Sequence, residues 1–240
     1  MHNARDASMP PSARGRTLMT ALRAVPPVLS VAHCGCPTPE EARLLARDML
    51  AGDGTRWPHV RTAGFVATQL TTLFDDHEAA LLLAAATLHD IGYARQIVQT
   101  GFHPLDGALF IQSEGFPDRL AALVAHHSQA VLTAPLRGVP DLAERFPEER
   151  SLLVDALVYA DMHAAPDGRI VGTEWRLTDI ARRHPGSYQD ARAELLRASI
   201  SRIEAAIHGD SGPRIEPKRS PMELVPPLTP SVTRSDRATR

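Results

Sequence analysis

Four residues in the middle of the chain have side chains of the types that bind metal ions. His59 begins one helical apolar pattern, His89 and Asp90 follow a second over 79–88, and Asp161 lies near the end of a third. Carboxylates are almost never buried unless they are paired or bound to a metal. Helical bundles build metal sites from imidazoles and carboxylates that project inward from facing helices. The four residues therefore predict such a site, although a satisfied polar pair at a helix end would explain His89 and Asp90 by themselves.

Three further histidines lie between these positions. His103 precedes Pro104 at a predicted helix start, and His126 and His127 end another predicted helix. The adjacent pair could instead be a solvated helix terminus, which the negative end of the helix dipole favours. If all three are ligands, the set contains five histidines and two aspartates, which is enough for two adjacent ions with Asp90 as the natural bridge.

The order of these residues resembles the HD superfamily of metal-dependent phosphohydrolases, whose defining pattern is a histidine, a His-Asp pair and a later aspartate. Residues 89–92 read His-Asp-Ile-Gly, the motif from which one branch takes its name. The extra histidines match two-metal members, among them the HD-GYP cyclic-dinucleotide phosphodiesterases and the HD-type diadenosine-tetraphosphate hydrolases. The resemblance covers 59–169. It implies the metal ligands His59, His89, Asp90, His103, His126, His127 and Asp161.

The resemblance also implies a divalent transition-metal cofactor, with two ions. Iron or manganese suits a site that mixes imidazole and carboxylate, and other divalent metals are alternatives. Such ions make hydroxide available near neutral pH and neutralise charge on phosphoryl oxygens. His89 and Asp90 are therefore the expected catalytic residues.

The sequence departs from several branches of the superfamily. Ser128-Gln129-Ala130 follows the histidine pair in place of the Gly-Tyr-Pro loop, which argues against a cyclic-dinucleotide substrate. Tyr93 stands where many relatives have a phosphate-binding lysine. Asp90 is not followed by the Glu-Asp pair that is typical of alarmone hydrolases, which argues against an alarmone substrate. By contrast, the segment from Asp161 to Arg169 is similar to that of the diadenosine-tetraphosphate enzymes. Arg169 is expected to bind a substrate phosphate, because a guanidinium fork fits phosphate oxygens.

The leading hypothesis is a phosphohydrolase that cleaves a phosphoester or phosphoanhydride bond of a nucleotide or another small phosphorylated molecule, using a metal-activated water. The alternative is a non-catalytic HD-type helical module that binds a nucleotide as a regulatory sensor. Seven ligand residues argue against it, since binding alone does not need them. A metal-free helix bundle is a third interpretation.

The elements that must position these residues are helices, so the predicted fold is a single all-α domain. Thr38-Pro39-Glu40-Glu41 is a strong helix start, with a hydroxyl cap, a first-turn proline and acidic residues. No run of β-branched residues alternates long enough to indicate a strand. Further helices are expected at approximately 59–73, 77–89, 104–114, 117–127, 148–163, 174–183 and 188–208.

Proline and charge divide the chain into a domain at 38–208 and two tails, 1–37 and 209–240, which are expected to be flexible. Residues 1–37 and 211–240 each have a net charge of +3, so the total of −2 leaves −8 between them. An acidic domain disfavours a large nucleic-acid partner. The expected partner is therefore a small phosphorylated substrate. We expect no association with a membrane, and the sequence leaves the oligomeric state open.

Localisation is expected to be cytoplasmic. Cys34 and Cys36 cannot supply a disulfide framework, and the apolar residues over 18–32 are too interrupted for a typical signal peptide. Translation from Met19 is an alternative to translation from Met1.

Overall fold

The computed structural model describes residues 35–186 and 188–209, and within them the chain is helical. The α-helices are α1 (Pro39–Leu50), α2 (Arg56–Thr68), α3 (Asp76–Leu88), α4 (His103–Ser113), α5 (Asp118–His126), α6 (Leu142–Arg145), α7 (Leu152–Met162), α8 (Thr173–Arg183) and α9 (Gln189–Gly209). Short 3-10 turns lie at Ala51–Asp53, Thr71–Leu73, Ile91–Tyr93, His127–Leu132 and Pro135–Arg137. These ranges contain no strand, and Ala164 and Ile170 form an isolated bridge. The all-α prediction is confirmed.

The first helix begins where the sequence predicts. The Thr38 hydroxyl accepts a hydrogen bond from the Glu41 amide at 3.3 Å, and the Glu41 carboxylate accepts one from the Thr38 amide at 2.8 Å. This reciprocal capping box satisfies two amide hydrogens that the first turn would otherwise leave without partners.

The core surrounds α3, which contacts α1, α2, α5 and α7. Its residues Leu81 to Leu88 are nearly all buried, because this helix is apolar around its whole circumference. His89 and Asp90 directly follow the last residue of α3, so both side chains are buried inside the domain. Next to them, α4 packs against α5 and against the turn Ile91–Tyr93.

A second apolar cluster joins α7, α8 and α9. Met162 of α7, Leu177 and Ile180 of α8 and Leu196 of α9 are among its buried members. Arg202 adds a two-pronged ion pair to the buried Asp155 of α7, at 2.6 and 2.7 Å. These contacts fix α8 and α9 against α7, the helix that carries Asp161.

The helix predicted over 59–73 differs from the structure at both ends. α2 begins at Arg56 rather than at His59, because Pro58 is tolerated in a first turn, where its missing amide hydrogen has no helical partner. The predicted helix over 59–73 ends at Thr68 and continues as the 3-10 turn Thr71–Leu73.

Most of both tails lies outside the described residues. Within the described part, none of the helices combines the length and apolar character needed to cross a membrane.

Candidate metal centre

Three side chains from α2, α3 and α7 form the first group of possible metal ligands. His59 Nε2 lies 3.1 Å from Asp161 Oδ1 and 3.2 Å from His89 Nε2. His89 Nε2 lies 3.8 Å from the same Asp161 oxygen. All three side chains are buried. Residues from three separate helices thus present donor atoms to one point.

A second group lies beside the first. His103 Nε2 and His127 Nε2 are 3.1 Å apart, and each lies 3.4 Å from Asp90 Oδ1. His103 is the first residue of α4, whereas His127 follows the last residue of α5. This group therefore assembles where two helix ends meet.

Asp90 connects the two groups. Its Oδ2 lies 3.7 Å from His59 Nε2, and its Oδ1 lies 3.8 Å from His89 Nε2. One carboxylate therefore has donor atoms of both groups within 4 Å, which is the arrangement expected of a bridge between two ions.

Backbone carbonyls fix the orientation of two of the imidazoles. His89 Nδ1 lies 2.9 Å from the Ala86 carbonyl oxygen, and His127 Nδ1 lies 2.6 Å from that of Val124. A carbonyl only accepts hydrogen bonds, so Nδ1 carries the hydrogen and Nε2 faces the cluster. Burial lowers the pKa of His89 to about 4, so its Nε2 offers a lone pair at neutral pH. Such outer hydrogen bonds orient metal-binding histidines in proteins.

The donor set fits divalent transition metals. Imidazole nitrogens and carboxylate oxygens converge at 3–4 Å, and lone pairs this close repel one another unless a cation or a proton lies between them. Burial acts to raise the pKa of Asp161, but the hydrogen bond with His59 and nearby positive charge outweigh burial. The pKa of Asp161 is therefore held well below its usual value, and the carboxyl is ionised. Neutral imidazoles with ionised carboxylates are the ligands that zinc, iron and manganese take in proteins.

This constellation agrees with the comparison of the chain with known families. Residues 56–165 match the family described as HD domain. This part of the chain is therefore an HD domain. The match contains both groups of donors and ends before α8, so α8 and α9 lie outside it. The comparisons with curated proteins and with solved structures gave no significant match.

One expected ligand, His126, lies apart from both donor groups. His126 Nε2 lies 2.7 Å from the Phe146 carbonyl oxygen, and His126 is outside both donor groups. Adjacent residues on a helix project about 100° apart, and of this pair only His127 contributes to a donor group. His127 leaves the helix with φ −54° and ψ 151° and is the one that turns inward.

The expected phosphate-binding arginine, Arg169, also lies apart from the donor groups. Arg169 is 55% exposed, its guanidinium pairs with Asp167 at 2.7 Å, and it lies 5.4 Å from the ring centroid of Trp175. Arg169 does not line the cleft that is bordered by Asp90 and Asp161.

The structure places two arginines at the cluster that sequence reasoning missed. Arg56 Nη1 lies 2.8 Å from Asp90 Oδ2, and Arg176 Nη2 lies 3.3 Å from Asp161 Oδ1. Arg56 could have been found, because residues three apart share a helix face and it precedes His59 by three. Arg176 is only 5% exposed and comes from α8, so nothing in the local pattern marks it.

A strained turn lies directly after His127. Ser128 and Gln129 have φ of 52° and 60°, in the left-handed region that non-glycine residues seldom adopt. The Ser128 hydroxyl donates to Asp161 Oδ2, and its carbonyl accepts a hydrogen bond from Arg192 Nε at 3.0 Å. Strain of this kind collects at functional sites, where surrounding contacts hold it in place.

Gly92, the glycine of the HDIG motif, allows the turn after Asp90 to lie close to the start of α4. A Cβ added at Gly92 would overlap the carbonyl oxygen of His103 and would lie 2.6 Å from the Gly107 amide nitrogen. Only glycine therefore allows the turn after Asp90 to approach the start of α4, from which His103 projects.

Members of both donor groups line a cleft of about 310 Å³. Asp90 and Asp161 are its only lining carboxylates among the described residues. Five arginines also line it, namely Arg56, Arg137, Arg176, Arg183 and Arg192. The HD cluster therefore opens into a strongly cationic space.

Proposed function

We propose that this HD protein is a metal-dependent phosphohydrolase that cleaves a phosphoester or phosphoanhydride bond of a nucleotide or another small phosphorylated molecule. The observation that supports this most is the pair of buried donor groups joined by Asp90 in an arginine-lined cleft. Phosphate is the common biological ligand that suits both metal ions and guanidinium groups.

His59, His89 and Asp161 would hold one ion, and Asp90, His103 and His127 the other. Bound there, divalent ions lower the pKa of water to near neutrality and offset charge on the phosphoryl oxygens. Iron or manganese is proposed from the mixture of imidazole and carboxylate donors.

The remaining side chains of the cluster hold its geometry. Arg56 and Arg176 each pair with a carboxylate that would bind an ion, which fixes that carboxylate and adds positive charge beside the phosphate position. Asp90 and His89 are the proposed catalytic residues, since both lie where the two groups meet. His103, with 25% of its side chain exposed, forms the boundary between the buried cluster and the cleft.

The direct test measures metal content and phosphate release on protein purified without chelator or nickel affinity. The expected result is two equivalents of metal and hydrolysis of at least one member of a panel of nucleotides, dinucleotides and phosphodiesters. Asp90→Ala should be inactive, and His77→Ala, which alters an exposed histidine, should match the wild type. A metal-loaded protein that hydrolyses nothing in the panel would contradict the proposal, and nucleotide binding without turnover would favour a sensor.

A further inference from the structure

The cleft contains more guanidinium groups than its carboxylates can neutralise. Arg183 pairs with Asp179 at 2.8 Å, but that carboxylate is shared with Arg176 and Arg182. Within the described part of the chain, Arg137 and Arg192 pair with no carboxylate at all. The arginine wall, formed by Arg137, Arg183 and Arg192, is thus a surplus of positive charge.

The positive charges of these arginines act together on one residue of the cleft, His184. His184 lines the same cleft, and its pKa is lowered, first by burial and then by the positive charges of Arg183, Arg192, Arg56 and Arg137. Four cations close enough to act on one imidazole repel one another. An anion bound between them would relieve that repulsion.

The arginine wall adjoins the metal centre but is distinct from it. The Arg192 guanidinium donates to the Ser128 carbonyl, and the Ser128 hydroxyl donates to Asp161. One residue therefore separates the wall from the first donor group. Arg183 and Arg192 belong to α8 and α9, which lie beyond the HD match at 56–165. Two of the three arginines of the wall therefore come from helices outside the HD match, and Arg137 comes from within it.

The surroundings favour a small anion over a polymer. Residues 38–210 have a net charge of −8, so the wall is a local patch in an acidic domain. A nucleic-acid surface requires a basic face that follows many phosphates. A cleft of about 310 Å³ instead has room for a compact molecule with several charges.

We infer that the ligand of this cleft carries at least two phosphate groups, one at the His/Asp groups and a second bound by Arg137, Arg183 and Arg192. This ligand is a substrate only if the proposed function holds. In that case, the substrate is a phosphoanhydride or a bisphosphate rather than a simple monoester. Guanidinium forks bind phosphate through two parallel hydrogen bonds, which gives each arginine a direct role in that recognition.

The test compares two ligands that cannot be hydrolysed, methylphosphonate and methylenebisphosphonate, by calorimetry on the metal-loaded protein. The variants are Arg137→Gln and Arg192→Gln. Arg137 is exposed, so its loss does not threaten the fold, whereas Arg192 also supports the Ser128 turn. The control is Arg197→Gln, which alters an exposed arginine of α9 that pairs with Glu174 outside this cleft.

The wild type should bind the bisphosphonate at least about tenfold more tightly than the monophosphonate, and each wall variant should lose most of that difference. The control should keep it. Equal affinity of the wild type for both ligands, or an unchanged preference in Arg137→Gln and Arg192→Gln, would overturn the inference. Because binding needs no turnover, a preserved preference in a protein that hydrolyses nothing would refute the proposed function while supporting the two-phosphate cleft.

Discussion

The imidazole of His103 stacks on the ring of Tyr93, with the centroids 4.0 Å apart and the planes 18° apart. The Arg56 guanidinium lies 3.7 Å from the centroid of the same ring and pairs with Asp90. Burial raises the pKa of Tyr93 to about 12, so its phenol is neutral at physiological pH. Arg56 therefore holds a positive charge beside both Tyr93 and Asp90.

The first prediction tests Tyr93 as a platform for these two groups. Tyr93→Phe should retain metal content and activity, because the ring is preserved. Tyr93→Ala should lower activity about three- to tenfold, since ring stacking contributes about 0.5–1.5 kcal/mol. Steady-state rates of phosphate release at fixed metal loading check this. Equal losses in both variants would indicate that the hydroxyl, rather than the ring, is the important group.

The second prediction concerns the approach of Gly92 to α4. Gly92→Ala should destabilise the fold by about 1–3 kcal/mol or more, because the added methyl group overlaps the His103 backbone. It should also lower metal content, since His103 must move. Gly52→Ala is the matched control, because a Cβ there meets nothing within 4 Å. Urea unfolding of the two variants measures the difference, and equal stability would refute the steric argument.

The third prediction separates one metal site from two. His103→Ala should keep about one equivalent of metal and lose most activity, because His59, His89 and Asp161 remain in place. His59→Ala should reduce metal at both sites, since Asp90 connects the groups. Metal analysis of the His103→Ala protein precedes the kinetics. Two full equivalents in that protein would rule out His103 as a ligand of the second ion.

The fourth prediction links Asp90 to stability through metal binding. Metal that binds only the folded state raises Tm, so a chelator should lower the Tm of the wild type by several degrees. Asp90→Ala should have a low Tm from the start and respond little to chelator. Asp90→Asn keeps the shape without the charge and should behave in the same way. A chelator-sensitive Tm in both variants would show that ions bind without this carboxylate.

The fifth prediction is a pH dependence of the metal-free protein. Burial lowers the folded-state pKa of His89 to about 4 and also lowers that of His103, whereas unfolded histidine titrates near 6.5. Below about pH 6.5 the unfolded chain therefore binds more protons than the folded chain, and stability falls as the pH decreases toward 4. His127 opposes this, because its hydrogen bond with Asp90 outweighs burial and raises its pKa.

Urea unfolding of chelator-treated protein at about pH 7 and about pH 5 measures this effect. For His89 alone, the free energy of unfolding falls by on the order of 3 kcal/mol from a pH well above 6.5 to a pH well below 4, and part of that decrease lies between about pH 7 and about pH 5. His89→Gln should show a smaller decrease. A free energy of unfolding that is equal or higher at pH 5 would contradict the assignment of His89 and His103 as neutral buried groups.

The sequence by itself determined the helical fold and most of the candidate site. Local signals suffice for a helix, because the Thr38 capping box and the apolar circumference of α3 act within a few turns of chain. Residue type and order likewise identified the donors that the structure brings together, since only a limited set of side chains binds transition metals.

Tertiary structure alone decided which of several equivalent residues reach the site. His126 and His127 look the same in the sequence, and the backbone angles at the end of α5 turn only His127 toward Asp90. Arg169 was expected to bind phosphate but pairs with Asp167, whereas Arg176 of α8 pairs with Asp161 and Arg192 of α9 contacts the Ser128 carbonyl. Side-chain direction at a helix end and contacts between helices distant in sequence depend on the packing of the whole domain, which no local pattern encodes.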